Sequence, residues 1–292
     1  MKITVTGSLG NISKTLTEKL VKAGHQVTVI SSSDDKTSAI EALGAKAAIG
    51  SVGDLSFLTE AFTGADAVYT MVPPNFGAAD QKQAIGAVGK NYAEAIKNAK
   101  VTRVVNLSSI GAHLPDGTGP IAGLHDVEQA FENLEGVSVK NLRAAVFYIN
   151  FYNNIDMIKN MGIIGNNFGA DVNLIMVHPI DIAEAAAEEI QNGFNGKSIR
   201  YIASDERKLS EVAAVLGAAI GKPGLKWIEF TDQQALEGME KAGMPTATSK
   251  SYTEMGTAIR SGILFEDYRK NNPPFSGKIK LEEFAVEFAG RY

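Results

Sequence analysis

The chain has 292 residues, 45% hydrophobic and 21% charged, with a formal net charge of −5 at pH 7. That describes an ordinary globular protein, long enough for a sizeable core and one or two domains. The acidic balance and the lack of a long basic stripe argue against nucleic acid as a partner. The chain has no cysteine, which excludes disulfides, thiolate nucleophiles and cysteine-held metals, and its four histidines are too scattered for a metal signature.

The chain opens on the strand-like run KITVTG, with no basic n-region before it. No apolar stretch is long enough to cross a bilayer, so the expectation is a cytoplasmic protein without a membrane partner. A helical face follows at Leu16, Leu20 and Val21, stopped by Gly24. HQVTVIS reads as a strand, Asp35–Leu43 as a helix and AKAAIG as a strand. Asp54–Phe62 reads as a helix with Leu55, Leu58 and Phe62 on one face. ADAVYTMV is a strand ending at Pro73 and Pro74. A longer helix is predicted over Asp80–Ala99, then a strand at TRVVNLSS, a helix over Ile121–Leu134 and a strand at VSVKNLRAA. This alternation predicts a doubly wound parallel α/β sheet covered on both faces.

The second half is less regular. VNLIMVH and SIRYIAS read as strands flanking a helix over Asp181–Ile190. Helical patterns follow at Leu209–Ile220, Asp232–Ala242 and Leu281–Ala289, and KNNPPFSGK is a polar loop. The reading is a first domain over 1–150, to whose sheet segments within 172–204 return, and a smaller α/β domain over 151–292.

Between the first strand and helix stands GSLGNIS, the pattern G-x-x-G-x-x-G with Ser13 in the last place. A strand–loop–helix context is what a Rossmann dinucleotide site requires. Gly7 permits the tight turn and Gly10 lets the backbone approach a pyrophosphate, which the following helix N-terminus favours. The third position serves packing, and serine adds only a hydroxymethyl group. The second strand ends in Ser31, Ser32 and Ser33 rather than the acid that would hold ribose hydroxyls. These serines leave room for a 2′-phosphate and Lys36 could reach it, so the reading leans to NADP. Asp34 and Asp35 keep NAD open.

VTGSLGNIS, GSVGDLSFLTEAFTGADAVYTMVPP, VVNLSSIGA, LHDVEQAFENLEGVSVKNLRAAVFYIN, VHPIDIAEAAAEEI and GKIKLEEFAVEFA together resemble the NmrA-like branch of the atypical short-chain dehydrogenase/reductases. The resemblance implies an NAD(P)-binding Rossmann domain and a C-terminal domain closing over a cleft. Its members include quinone and azo reductases and redox-sensing regulators that bind dinucleotide without turnover. It implies that Gly7, Ser8, Gly10, Asn11 and Ile12 hold the pyrophosphate, that Met71, Val72 and Pro73 line the cofactor, and that Ser108 lies near the nicotinamide. Two departures weaken the adenosine contacts. Serines stand where members commonly carry arginine at the end of the second strand, and Ser51 stands where many carry aspartate.

No tyrosine has a lysine four positions on, so the Tyr-x-x-x-Lys pair of the ordinary short-chain enzymes is absent. The helix opening IAGLHDVEQ also lacks the lysine of the isoflavone-reductase branch. His125 is its one group suited to proton transfer. His25 and His113 read as surface turn residues, and His178 as a turn brace. A quinone needs little acid catalysis, and positioning of an apolar or aromatic small molecule then dominates. FYINFYNN could supply a stacking surface through Phe147, Phe151 and Tyr152 with Asn150 as a polar anchor, and Asn75 and Phe76 a facing wall. The alternative for these aromatics is core packing. Two readings result: an NAD(P)H-dependent reductase, and a non-catalytic redox sensor acting through a protein partner. A nucleotide-sugar epimerase is a third, against which the absent tyrosine counts. The sequence is compatible with a homodimer and does not settle the oligomeric state.

Overall fold

A computed structural model describes all 292 residues. The first half runs β1 Lys2–Val5, α1 Ser13–Lys22, β2 Gln26–Ser31, α2 Thr37–Ala42, β3 Lys46–Ile49, α3 Leu55–Phe62, β4 Ala67–Thr70, α4 Gln81–Asn98, β5 Arg103–Ser109, α5 Ile121–Glu132 and β6 Ser138–Ala144. The second half adds β7 Val146–Phe147, α6 Ile155–Met161, β8 Ile164–Asn166, β9 Asn173–Val177, α7 Pro179–Asn192, β10 Lys197–Ile202 and β11 Asp205–Lys208. It closes with α8 Leu209–Ala219, β12 Trp227–Glu229, α9 Asp232–Lys241, α10 Thr246–Ser261, α11 Glu266–Asn271 and α12 Leu281–Arg291.

Seven parallel strands form the main sheet in the order β10-β6-β5-β4-β1-β2-β3. This is the Rossmann-type arrangement, and its strand order reverses between β1 and β4, opening a crevice at their carboxyl ends. Leu16 and Leu20 of α1 and Ile182 and Ala183 of α7 cover one face, and Leu58, Tyr92 and Val127 of α3, α4 and α5 cover the other. Strands buried on both sides are necessarily rich in Val, Ile and Ala. Of the two late strands expected to return to this sheet, β10 joins its edge, while β9 pairs with β7 and β11 in a separate three-stranded sheet.

One polar row crosses the apolar sheet. Thr70, Asn106 and Asn141 are direct register partners on β4, β5 and β6, and all three are buried. The Thr70 hydroxyl donates to Asn106 Oδ1 at 3.0 Å, and Asn106 Nδ2 donates to Asn141 Oδ1 at 2.9 Å. Buried amides persist where they are paired in this way.

The C-terminal elements pack directly against the sheet's own core: one continuous cluster runs from Ile3 of β1 to Phe288 of α12. No helix is long and apolar enough to cross a membrane.

Candidate functional site

The glycine loop leaves β1 through Gly7, whose φ of +92° and neighbouring Ser8 φ of +53° turn the chain sharply. A Cβ on Gly7 would stand 2.5 Å from Ser13 Oγ and 2.8 Å from Met71 Cγ. Ser13 itself is buried, and its hydroxyl donates to the Thr6 carbonyl at 2.8 Å. The residue in the third glycine place therefore buckles the start of α1 to the end of β1. A Cβ on Gly10 would meet only the Gly7 carbonyl, at 3.1 Å, so glycine there keeps the outer side open to a close-approaching group. Ile12 gives α1 no side-chain cap; the Lys14 N–H is taken by the Gly10 carbonyl at 3.0 Å, and the Ile12 and Ser13 N–H groups are left to an outside acceptor. An uncapped helix N-terminus beside an open glycine suits a pyrophosphate.

The end of β2 lies against this loop. The Ser8 N–H donates to the Ile30 carbonyl at 3.0 Å, and the Ser8 hydroxyl to Ser31 Oγ at 3.0 Å. Ser31 is buried and also bonds the Ser33 carbonyl, whereas Ser32 and Lys36 are exposed. Asp34 and Asp35 lie at the surface in a single 3-10 turn with Lys36, where Asp35 accepts from the Ser33 hydroxyl at 3.4 Å. The rim is thus hydroxyl-rich.

At the end of β4, three bonds hold Met71. Its N–H donates to Thr6 Oγ1 at 2.8 Å, and its carbonyl accepts from the Tyr92 phenol at 2.8 Å and from the Thr6 hydroxyl at 3.3 Å. Burial raises the Tyr92 pKa, keeping this phenol a donor. Val72 follows, half-buried, and then Pro73, Pro74, Asn75 and Phe76, all exposed. This loop is tied to α10. Gln81 Nε2 donates to the Asn75 carbonyl at 2.8 Å and to Thr248 Oγ1 at 2.9 Å, and the Thr248 hydroxyl donates to the Phe76 carbonyl at 2.6 Å. The Phe76 and Tyr252 rings lie 6.2 Å apart. The loop after β5 meets the same helix: Gly119, at φ +58°, has no room for a Cβ, which would fall 2.1 Å from the Ser251 carbonyl.

Of the proton-transfer candidates, His125 has Nδ1 2.9 Å from the Ala112 carbonyl. A carbonyl only accepts, so Nδ1 carries a proton, and Nε2 is an acceptor whenever the ring is neutral. Ser108 is buried and turned toward α5, where its hydroxyl donates to Glu128 at 2.5 Å. The Arg143 guanidinium forks onto Glu128 at 3.1 and 2.7 Å and reaches Asp267 of α11 at 2.7 Å, and Asp267 also accepts from the Tyr201 hydroxyl. Sequence reasoning missed this network, although an arginine inside an apolar strand and a glutamate on the apolar face of α5 were both visible anomalies.

The aromatic run is divided. Phe151 and Tyr152 turn into the C-terminal core, Phe151 edge-on to Trp227 and Tyr152 stacked on Phe288 under Arg291. They form no stacking surface for an acceptor, because α12 arrives to cover them. Phe147 is half-buried in β7 beside β9, and Asn150 is exposed. His113 is not a surface turn residue: both ring nitrogens are buried without partners, and burial lowers its pKa. His178 braces its turn by capping α7, Nδ1 accepting from the Ile180 N–H at 3.2 Å. No group of three or more histidines and acids is placed to hold a metal. A cleft of about 620 Å³ opens beside α10, lined by Asp80, Lys82, Asp116, Lys250 and Glu254 among others. It contains none of the glycine-loop residues, and its charged walls do not suit an apolar acceptor.

Residues 7–135 match the family model described as NAD(P)H-binding. No curated protein matches the chain. Solved structures share its fold over nearly the whole length. Triphenylmethane reductase from Citrobacter sp., complexed with NADP(H), is 21% identical with a TM-score of 0.81 over 98% of this chain and 99% of that one. The NADPH-dependent quinone oxidoreductase from Escherichia coli, complexed with NADPH, is 20% identical with a TM-score of 0.77 over 98% and 99%. A nucleoside-diphosphate-sugar epimerase from Staphylococcus aureus is 16% identical with a TM-score of 0.78 over 98% and 100%.

Proposed function

We propose that this chain, an atypical short-chain dehydrogenase/reductase in fold with an NAD(P)H-binding first half, is an NADPH-dependent reductase of quinone-like or other conjugated acceptors. The observation that carries the reading is the junction of the open Gly10 cradle and uncapped α1 with a serine-lined β2 end flanked by Lys36. Gly7, Ser8, Gly10, Asn11 and Ile12 hold the pyrophosphate. Ser32 and Lys36 receive the 2′-phosphate above buried Ser31, whose hydroxyl is held between Ser8 and the Ser33 carbonyl, and Met71, Val72 and Pro73 line the path toward the nicotinamide. The NADP(H) complexes of the similar reductases support the same cofactor.

When bound, the reduced nicotinamide supplies the hydride. The chain's own task is to orient a flat acceptor and exclude water, which requires no Tyr–Lys pair. Asn75 and Phe76 stand at the mouth for that purpose, on a loop held still by Gln81 and Thr248. Ser108 acts from beneath, bracing the end of β5 through Glu128. His125 offers its Nε2 to a cofactor or acceptor hydroxyl. The test is a quinone panel with NADPH or NADH followed at 340 nm, with cofactor affinity measured separately. Tight NADPH binding without turnover of any acceptor refutes the reductase and leaves a dinucleotide sensor.

A further inference from the structure

Resting on the reductase reading, we propose that Tyr252 of α10 is the hydrogen-bond donor to the acceptor's oxygen, and that its ring and that of Phe76 form the aromatic wall on which the acceptor lies. The α10 residues Thr248, Tyr252, Met255 and Ile259 recur at helical spacing, so one face of the helix presents all four. That face looks toward the cofactor half: Thr248 grips the Phe76 carbonyl, Tyr252 meets the Phe76 ring, and Met255 lies against Gly119.

The two rings differ in how the fold treats them. Phe76 is 49% exposed although its backbone is held by a 2.6 Å bond, so an apolar ring is displayed from a fixed point. Tyr252 is half-buried, and its phenol makes no hydrogen bond within the chain. That burial raises its pKa, so the group stays protonated and able to donate. A phenol of this kind finds a partner when its surroundings close. A carbonyl accepting a hydride gathers negative charge on its oxygen, and a preset donor there stabilises the charge as it grows. The acceptor class that satisfies both ring and hydroxyl is a planar aromatic bearing a carbonyl oxygen.

The experiment compares wild type, Tyr252→Phe, Tyr252→Ala and Phe76→Ala. The binding readout is calorimetry of 1,4-naphthoquinone titrated into the protein–NADP⁺ complex, where no turnover occurs. Tyr252→Phe should keep the stack, bind the quinone within a few-fold of wild type and lower kcat with NADPH by about tenfold or more. Tyr252→Ala and Phe76→Ala should lose quinone binding while NADPH affinity and the melting temperature stay near wild type. An unchanged kcat in Tyr252→Phe overturns the donor, and unchanged quinone binding in both alanine variants overturns the wall. Wild type that fails to bind the quinone overturns both. Binding that depends on Phe76 and Tyr252 without any turnover supports the wall and refutes the reductase reading, so the two failures are distinct.

Discussion

Replacing Gly7 with alanine probes the loop from inside. At φ +92° an L-residue carries about 1–2 kcal/mol of backbone strain. The new methyl would stand 2.5 Å from Ser13 Oγ and 2.8 Å from Met71 Cγ, so both neighbours must move. Ser13 can rotate away only by giving up its 2.8 Å bond to the Thr6 carbonyl, worth about 1 kcal/mol. Met71 is pinned through its backbone, and its side chain must repack at roughly 1 kcal/mol or more. The expected loss is about 3–5 kcal/mol of stability, together with weaker cofactor binding. Ser13→Ala alone should cost about 1 kcal/mol. In the double variant the Oγ contact is gone and its bond cannot be lost twice, so the pair should fall short of additivity by about 1 kcal/mol. Urea unfolding of the four proteins without cofactor measures the cycle, and an NADPH fluorescence titration gives the affinities. Strict additivity, or a Gly7→Ala protein as stable as wild type, refutes the reasoning.

Arg143→Met strands buried Glu128 and half-buried Asp267 and should cost about 3–5 kcal/mol, read as a lowered melting temperature; a neutral outcome would mean the network carries no net stability. Arg260 bonds Asp232 twice and holds its carboxyl at about 2 against the ordinary 3.8. Because the folded value is depressed, this contribution is full above 3.8 and fades as pH falls toward 2, so the stability gap between wild type and Asp232→Asn should narrow over that range in acid unfolding. Thr248→Val removes the clasp on the Phe76 carbonyl and should speed amide exchange across residues 75–80, with KM for the acceptor rising more than kcat falls. Ser32→Asp puts a carboxylate at the β2 rim and should shift preference from NADPH toward NADH; an unchanged ratio would remove Ser32 from the 2′-phosphate site.

The first half was legible because its burial is written in apolar residues. Asp54 and Asp80, the first residues of two predicted helices, stand one position outside α3 and α4 and cap them. The helix that matters most for the mouth, α10, was not legible. The residues it buries include Thr248, Ser249, Thr253 and Gly256, small or polar groups that dilute the apolar period of Tyr252, Met255 and Ile259. Tyr252 was invisible for the same reason. Aromatics in FYINFYNN posed the opposite problem, since a stacking wall and a packed core share one composition. Only the arrival of Phe284 and Phe288 from the far end of the chain decides it for Phe151 and Tyr152. From sequence Ser13 is a tolerated packing residue; in the structure its hydroxyl adds a bond and sharpens the demand for glycine at Gly7.

The amide row through β4, β5 and β6 bears on how the sheet finds its alignment. Sliding β5 by two residues would keep every side chain on its own face and bury nearly the same apolar area. It would also bring Asn106 level with Val68, leaving a carboxamide without a partner at a cost of about 1–3 kcal/mol. Valines and alanines tolerate either alignment; the three hydrogen-bonding residues admit one. The row thereby rejects misregistered sheets during folding, and it sets the relative height of the strand ends from which the Met71 loop and the Gly119 loop spring.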